Sequence, residues 1–172
     1  MSASYGRRRI VSEAARFDEL LQDHDLVHLD ASVLALHAAG VPRTLPLTRS
    51  LFRAMETGEV AAQTSALSLY QLLVESYRRG EESTAARIEQ LIGSIPGLRV
   101  IPLDGRIARQ AAQVRAQIGG RVERSVQLAT ALSEGADLFL AQRSSLRRVA
   151  GMAIESLDAL HPAETGDPPG PN

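Results

Sequence analysis

Cysteine is absent from this chain of 172 residues, and so are tryptophan and lysine. Without cysteine the protein has no disulfides, no thiol nucleophile and no thiolate metal ligand, which fits a reducing compartment. No apolar run approaches the roughly 20 residues that a membrane-spanning helix needs. The start of the chain also lacks the apolar segment of a secretory signal. We therefore expect a cytoplasmic protein that does not associate with membranes.

Aromatic residues make up only 3% of the chain, so stacking platforms for single-stranded bases are scarce. Nineteen positive charges face twenty negative ones, for a net charge of -1, and no overall field attracts nucleic acid. Any such binding must be local. Every positive charge is arginine, which reflects either a codon bias or a selection for bidentate contacts with phosphate and carboxylate. Composition does not separate these two explanations.

The length suits one domain, and the apolar periodicity divides it into alternating strands and helices. We expect an N-terminal extension with a leading helix at 1–25, a main domain at 26–158, and a disordered tail rich in Pro and Gly at 159–172. The predicted strands are Leu26–Leu29, Val60–Thr64, Leu98–Leu103, Leu138–Ala141 and Met152–Leu157. The predicted helices are Val11–Gln22, Ser32–Ala39, Leu47–Glu56, Leu67–Arg79, Ser83–Ile92, Ile107–Ile118 and Val122–Leu132, with a short helical turn near Ser145 to Val149.

Strands that alternate with helices and are apolar on both faces predict a three-layer α/β/α sandwich with a central, mainly parallel sheet. Right-handed crossovers bring the carboxyl ends of parallel strands to one edge of the sheet. Functional sites form at that edge, where the strand order reverses. The residues that we expect there are Asp30, the segment after Thr64, and the pair Gln142 and Arg143, with Arg124 within reach from a neighbouring helix.

Four short segments follow one another in a characteristic order. They read Leu29-Asp30-Ala31-Ser32-Val33-Leu34, then Thr64-Ser65-Ala66-Leu67-Ser68-Leu69-Tyr70-Gln71-Leu72-Leu73-Val74, then Val126-Gln127-Leu128-Ala129-Thr130-Ala131-Leu132, then Gly135-Ala136-Asp137-Leu138-Phe139-Leu140. By their order and spacing they resemble the landmarks of the PIN-domain family, the fold of many VapC-like bacterial toxin ribonucleases. The resemblance extends over most of the chain and implies a PIN-like fold.

The resemblance also identifies the site positions. Asp30 and Ser32 match the family's first motif, but the family's next three acidic positions fall on Gln71, Arg124 and Arg143. Mg²⁺ and Mn²⁺ owe much of their affinity to carboxylate charge, and two arginines in the same pocket oppose a cation. We therefore expect no bound metal and an impaired or inactive nuclease. The alternative is an active endoribonuclease dependent on Mg²⁺ or Mn²⁺ that uses a non-standard set of acids.

Other carboxylates are candidates for such a set. Glu75 lies one helical turn beyond Gln71, but we expect it to point away from the strand ends. Glu123 is expected on the solvated surface, Asp104 is expected to cap a helix, and Asp137 lies at the opposite end of its strand. The four histidines have no spacing typical of a metal cluster.

With one acid left, we expect the carboxylate of Asp30 to pair with a guanidinium group that replaces the metal. The sequence is then compatible with two alternative binding functions. In the first, a positive patch of Arg124, Arg143, Arg147 and Arg148, with Arg7, Arg8 and Arg9 on an N-terminal arm, holds RNA or DNA phosphate without cutting it. In the second, apolar faces form a homodimer or meet an antitoxin-like protein. The arginine pairs also fit an ordinary solvated surface.

Overall fold

The computed structural model describes residues 13–160. Val11 and Ser12 of the predicted leading helix, the arginines of the N-terminal arm and the tail from residue 161 lie outside the described residues. The proposed division into 1–25, 26–158 and 159–172 stays a prediction. The helices are α1 (Glu13–Gln22), α2 (Ala31–Ala38), α3 (Leu45–Thr57), α4 (Ala66–Arg78), α5 (Glu82–Ser94), α6 (Gly105–Ile118), α7 (Val122–Ser133) and α8 (Leu157–Leu160). The strands are β1 (Leu26–Leu29), β2 (Ala61–Ser65), β3 (Leu98–Ile101), β4 (Leu138–Ala141), β5 (Arg148–Val149) and β6 (Met152–Ser156).

Within the described residues, the strands form one six-stranded sheet in the order β3-β2-β1-β4-β6-β5. Every neighbouring pair is parallel except β5 and β6, which are antiparallel. Helices cover both faces of the sheet, so the predicted three-layer α/β/α architecture with a mainly parallel sheet is confirmed. None of the helices in the described part of the chain could span a bilayer.

The larger core lies between one face of the sheet and helices α1, α2, α3 and α5. Phe17 of the leading helix and Leu51 of α3 are fully buried there against Leu29 and Leu140 of the central strands. Burying a side chain of this size contributes about 1.5–3 kcal/mol, so the leading helix is part of the main core.

The second core lies on the other face, beneath α6 and α7, and contains Leu128, Phe139 and Ile154. Because side chains alternate along a strand, Val27 faces the first core while His28 faces the second. This second face therefore contains polar groups as well as apolar ones, and Gln63 and His28 are both fully buried.

The segment after β4 differs from the prediction. No helical turn forms between Ser145 and Val149; instead β5 pairs antiparallel with β6 through a tight turn at Ala150 and Gly151. Both turn residues have positive φ, at 47° and 92°, which is the backbone that a two-residue hairpin requires. The strand at the opposite edge of the sheet is also shorter than predicted, since β3 ends at Ile101 before Pro102, which has no N–H to donate.

Gly97, in the turn before β3, is held in a conformation that other residues reach only with strain. Its φ is +73°, and an added Cβ would lie 3.0 Å from the backbone oxygen of Met55. We predict that Gly97→Ala lowers the free energy of unfolding by about 2 kcal/mol. Gly93→Ala is the matched control, because a Cβ at this position of α5 meets nothing within 4 Å and should raise that free energy by about 0.5–1 kcal/mol.

Urea unfolding of the two variants and the parent protein measures both effects. Equal changes in the two variants would contradict the conformational role of Gly97.

Candidate functional site

The strand order reverses at β1, which lies between β2 on one side and β4 on the other. The backbone N–H of Asp30 donates to the backbone oxygen of Leu140 at 2.9 Å, so the chain leaving β1 stays joined to the end of β4. Ligand sites in open parallel sheets form in the crevice at such a reversal. The candidate site is therefore the carboxyl end of these two strands.

A cavity of about 150 Å³ opens at this point, and we call it the Asp30 cavity. It brings together four residues that the sequence placed in the site, namely Asp30, Gln71, Arg124 and Arg143. Gln71 and Arg124 lie on helices α4 and α7, Asp30 precedes α2, and Arg143 lies in the loop after β4, so the four are far apart in sequence. The other residues lining the Asp30 cavity are Arg121, Glu123, Gln127, Leu128, Phe139, Ala141, Ser144, Leu146 and Ile154.

Asp30 is fixed in place as the N-cap of α2. Its Oδ2 accepts hydrogen bonds from the backbone N–H of Ser32 at 3.0 Å and from the Ser32 hydroxyl at 2.5 Å. The same hydroxyl oxygen accepts from the backbone N–H of Gln142 at 3.0 Å, which connects the ends of β1 and β4 a second time. Ser32, the second residue of the predicted motif, thus orients the carboxylate of Asp30.

The expected ion pair between Asp30 and an arginine does not form, so that prediction is wrong for the described part of the chain. Arg143 turns instead to Asp158 at the start of α8, with its Nε 2.7 Å from Oδ2. The Arg143 side chain is 82% exposed, and pairs this exposed contribute at most about 1 kcal/mol. The guanidinium of Arg124 has no hydrogen-bond or ion-pair partner among residues 13–160.

The other two arginines of the predicted patch lie outside the Asp30 cavity because the hairpin of β5 and β6 directs them elsewhere. Arg147 lies 3.7 Å from Glu155, and Arg148 donates to the backbone oxygen of Gly151 at 2.9 Å. The predicted patch is therefore divided, with only Arg124 and Arg143 at the cavity.

Sequence reasoning missed Arg121, which contributes a third guanidinium group to the cavity lining. It is the N-cap residue of α7 and makes no side-chain capping bond. Residues three apart on a helix share a face, so its position three residues before Arg124 was the available signal. The amino end of a helix carries partial positive charge, which adds to that of the two arginines.

The remaining carboxylates are placed largely as expected. Glu75 pairs with Arg78 and Arg79 on the surface of α4, and it does not line the cavity. Asp104 caps α6 by accepting from the backbone N–H of Ile107 at 2.8 Å. Asp137 binds backbone N–H groups at the opposite end of the sheet. Glu123 is exposed, as expected, but it also lines the cavity, which the sequence did not indicate.

A buried chain of hydrogen bonds lies behind the cavity. The Nε2 of His28 is 2.9 Å from the Oε1 of Gln127. The Nε2 of Gln127 then donates to the hydroxyl of Ser68 at 2.8 Å and to the Oε1 of Gln71 at 3.2 Å. The ring of His28 also stacks on Phe139, with the ring centroids 5.1 Å apart. One end of this chain is in the second core and the other is at the cavity wall.

Burial lowers the pKa of His28 to about 4, because a charged imidazole loses its hydration there. The hydrogen bond with Gln127 and the negative charge of Asp30 act in the opposite direction but are weaker. His28 is therefore neutral at pH 7.

The donor set of the cavity does not fit a tightly bound divalent cation. Two carboxylates, Asp30 and Glu123, are accompanied by three guanidinium groups. The side-chain oxygen of Gln71 already accepts from Gln127. Among residues 13–160 there is no group of three or more acidic or histidine side chains placed to hold a metal ion. Hard cations prefer several anionic oxygens, and the arginines of the lining oppose them.

Comparison with known proteins finds relatives in structure only. No protein-family model and no curated protein matches the sequence. A chain of the VapBC2 complex from Rickettsia felis, bound to a promoter DNA fragment, matches with a TM-score of 0.60 and 12% identity, over 76% of this chain and 98% of that one. A chain of the DNA-bound VapBC complex from Salmonella typhimurium gives 0.58 and 18%, over 77% and 98%.

A chain of a toxin–antitoxin complex from Klebsiella pneumoniae matches with a TM-score of 0.57 and 13% identity, over 76% of this chain and 97% of that one. At these identities the likeness shows the fold. That fold agrees with the PIN-like architecture expected from the sequence.

The lowered pKa of His28 predicts how stability depends on pH. In the unfolded chain a histidine titrates near 6.5, so the unfolded state binds a proton first as the pH falls. The stability that neutral His28 contributes is complete above pH 6.5 and is lost between pH 6.5 and about 4, by up to about 3 kcal/mol.

His28→Gln removes this titration, and the free energy of unfolding of the variant should fall less steeply than that of the parent between pH 6.5 and 4. Urea unfolding at a series of pH values measures both slopes. Parallel slopes for the two proteins would show that His28 is not held neutral by the fold.

Proposed function

We propose that this chain is a PIN-like protein of the toxin–antitoxin kind whose Asp30 cavity binds nucleic-acid phosphate and does not cleave it. The observation that carries this proposal is that three arginines line the same small cavity as the fixed carboxylate of Asp30. Arg121, Arg124 and Arg143 bring three positive charges to the lining, while Asp30 and Glu123 bring two negative ones. Arg143 is also paired with Asp158 outside the lining. Guanidinium groups form bidentate hydrogen bonds with phosphate oxygens.

The location of these charges also favours an anion. Arg121 is the N-cap residue of α7 and Arg124 lies in its first turn, where the helix dipole adds positive potential. Arg124 has no partner among residues 13–160, so its guanidinium is available to a ligand. Because the net charge of the whole chain is -1, this local concentration is the feature that attracts an anion.

The size of the cavity limits what it can hold. At about 150 Å³ it is smaller than the roughly 300–1,000 Å³ of typical small-molecule sites. It suits one phosphate group of a strand that runs along the surface. The strand itself would then lie across the exposed arginines at the rim.

Cleavage is not supported by this site. Hydrolysis of a phosphodiester by divalent ions requires the metal to generate hydroxide and to stabilise the leaving oxygen. Asp30 already accepts two hydrogen bonds from Ser32, and Gln71 brings no charge to the cavity. The charge that neutralises phosphate is supplied by arginine in place of metal.

A second candidate function is an Mg²⁺- or Mn²⁺-dependent endoribonuclease that uses a non-standard set of acids. The observation in its favour is Glu123, which lines the same cavity as Asp30. These two carboxylates are the set that such an enzyme would have available.

An antitoxin-like protein is the proposed partner. The structural neighbours are toxin–antitoxin complexes, and an apolar groove of about 410 Å³ lies between α2, α3, α4 and α5 of this chain. Leu91, on the rim of the groove, is 48% exposed. An amphipathic helix of a partner would bury this surface. The groove is lined by Leu34, Ala35, His37, Ala38, Ala39, Phe52, Leu72, Ile88, Leu91, Ile92 and Ile95.

A homodimer through apolar faces stays a prediction.

Binding of nucleic acid is tested with Arg124→Gln. We predict that a fluorescent single-stranded RNA binds the parent protein in a salt-dependent manner and binds Arg124→Gln roughly five- to tenfold more weakly, since one charged phosphate contact is lost. The salt slope should fall by about 0.7, the value for one contact with a single strand. Arg109→Gln is the control, because Arg109 is exposed on α6 and does not line the cavity.

Equal losses of RNA affinity in the two variants would show that binding depends on the overall charge of the protein and not on the Asp30 cavity. The same titration with single-stranded and duplex DNA identifies the preferred strand.

Activity is tested by restoring the family's acids. We predict that the parent protein does not cleave RNA in the presence of Mn²⁺, and that a variant carrying Gln71→Glu, Arg124→Asp and Arg143→Asp gains cleavage that a chelator abolishes. Equal chelator-sensitive cleavage by both proteins would contradict the proposal. If Asp30→Asn and Glu123→Gln each abolished such cleavage in the parent protein, the second candidate would be favoured.

A further inference from the structure

Gln127 lies in the middle of the buried chain of hydrogen bonds behind the cavity, and both polar atoms of its amide have partners. Gln127 is almost completely buried on α7. Its Oε1 faces the Nε2 of His28, and its Nε2 donates both hydrogens, one to Ser68 and one to Gln71. A fully satisfied buried amide has one preferred orientation, because reversing it exchanges donors for acceptors at every contact.

His28 determines which orientation that is. An amide oxygen only accepts, so the Nε2 of His28 must carry the hydrogen that it shares with Gln127. The Nδ1 of His28 is then the bare nitrogen, and it has no hydrogen-bond partner in the described part of the chain. The reversed amide would require the opposite tautomer and would bury an N–H group with no acceptor, which proteins rarely tolerate.

The orientation of the Gln127 amide in turn determines the orientation of the Gln71 amide. Because the Oε1 of Gln71 accepts from Gln127, the amide N–H groups of Gln71 remain as its polar atoms without a partner among residues 13–160. Gln71 lines the cavity together with Arg124. With its oxygen occupied inside the protein, Gln71 offers the cavity a donor. A carboxylate at this position could still accept from Gln127 and present its second oxygen to a cation.

We propose that Gln71 donates a hydrogen bond to the phosphate group in the Asp30 cavity, and that Gln127, held by His28, is the positioning residue that keeps this donor turned toward the ligand. This inference rests on the proposed binding of phosphate. Gln71 is then a phosphate ligand. Its amide supplies a hydrogen-bond donor at a position where a metal site would need an oxygen acceptor. The tautomer of a histidine in the core thereby determines that the amide of Gln71 offers the cavity a hydrogen-bond donor.

The positioning role is tested by a double-mutant cycle with the same fluorescent single-stranded RNA. Gln71→Met keeps the length of the side chain, removes the donor, and should weaken binding roughly tenfold. Gln127→Met leaves the amide of Gln71 free to turn, and the loss should be smaller, about threefold. In the double variant the loss should equal that of Gln71→Met alone, because the residue that Gln127 positions is already gone. Gln113→Met, at an exposed position of α6, should bind like the parent protein.

Two measurements on the parent protein do not depend on the folding of any variant. Nitrogen NMR should show His28 protonated at Nε2 and bare at Nδ1. Addition of inorganic phosphate should shift the side-chain amide signals of Gln71 more than those of Gln127. A His28 protonated at Nδ1, or an unshifted Gln71, would overturn the inference.

The outcomes separate this inference from the proposed function. If Arg124→Gln weakens RNA binding and Gln71→Met does not, phosphate binding stands and the role of Gln71 is wrong. If Gln127→Met is as costly to RNA affinity in the Gln71→Met background as in the parent protein, Gln127 affects binding through the structure in general and does not position Gln71. If the parent protein binds neither RNA nor phosphate, both proposals fail together.

Discussion

The backbone hydrogen bond from Asp30 to Leu140 joins β1 to β4 at the point where the strand order reverses, and the remaining features of the site depend on it. The hydroxyl of Ser32 reinforces this junction by contacting both the carboxylate of Asp30 and the backbone of Gln142. Helices α4 and α7 then bring Gln71 and Arg124 to the same cavity. The backbone thus supplies the frame of a parallel-sheet site, and the side chains decide its chemistry.

Those side chains reverse the charge that a metal site requires. Three arginines line the same cavity as the fixed carboxylate of Asp30, Glu123 is the one other acid among the described residues of that lining, and the oxygen of Gln71 accepts a hydrogen bond from the buried Gln127. Within residues 13–160, the unpaired guanidinium of Arg124, the N–H donors of Gln71 and the amino end of α7 all favour an anion at one point of the surface. The fold shared with toxin–antitoxin complexes and the chemistry of this cavity are therefore separate matters, since a fold alone does not determine an activity.

The fold and the meeting of Asp30, Arg124 and Arg143 were predictable, because apolar periodicity marks buried strands and parallel strands end at one edge. The place of Gln71 was predictable only from the resemblance to the PIN-domain family. The hairpin at Ala150 was not, since its two-residue strand is too short to show a period. The pairing of Arg143 with Asp158 and the contact of His28 with Gln127 depend on tertiary positions that no local pattern encodes. Arg121 could have been found from its spacing to Arg124 on one helix face.

The sign of the ligand's charge can be read directly from anomalous scattering by crystals soaked separately with Mn²⁺ and with selenate, a tetrahedral anion like phosphate. A cavity that selects anions should show a selenium peak within hydrogen-bond reach of Arg124 and Gln71, and no manganese peak beside Asp30. An ordered manganese ion bound by Asp30 and further side-chain oxygens, with no selenium peak, would contradict it.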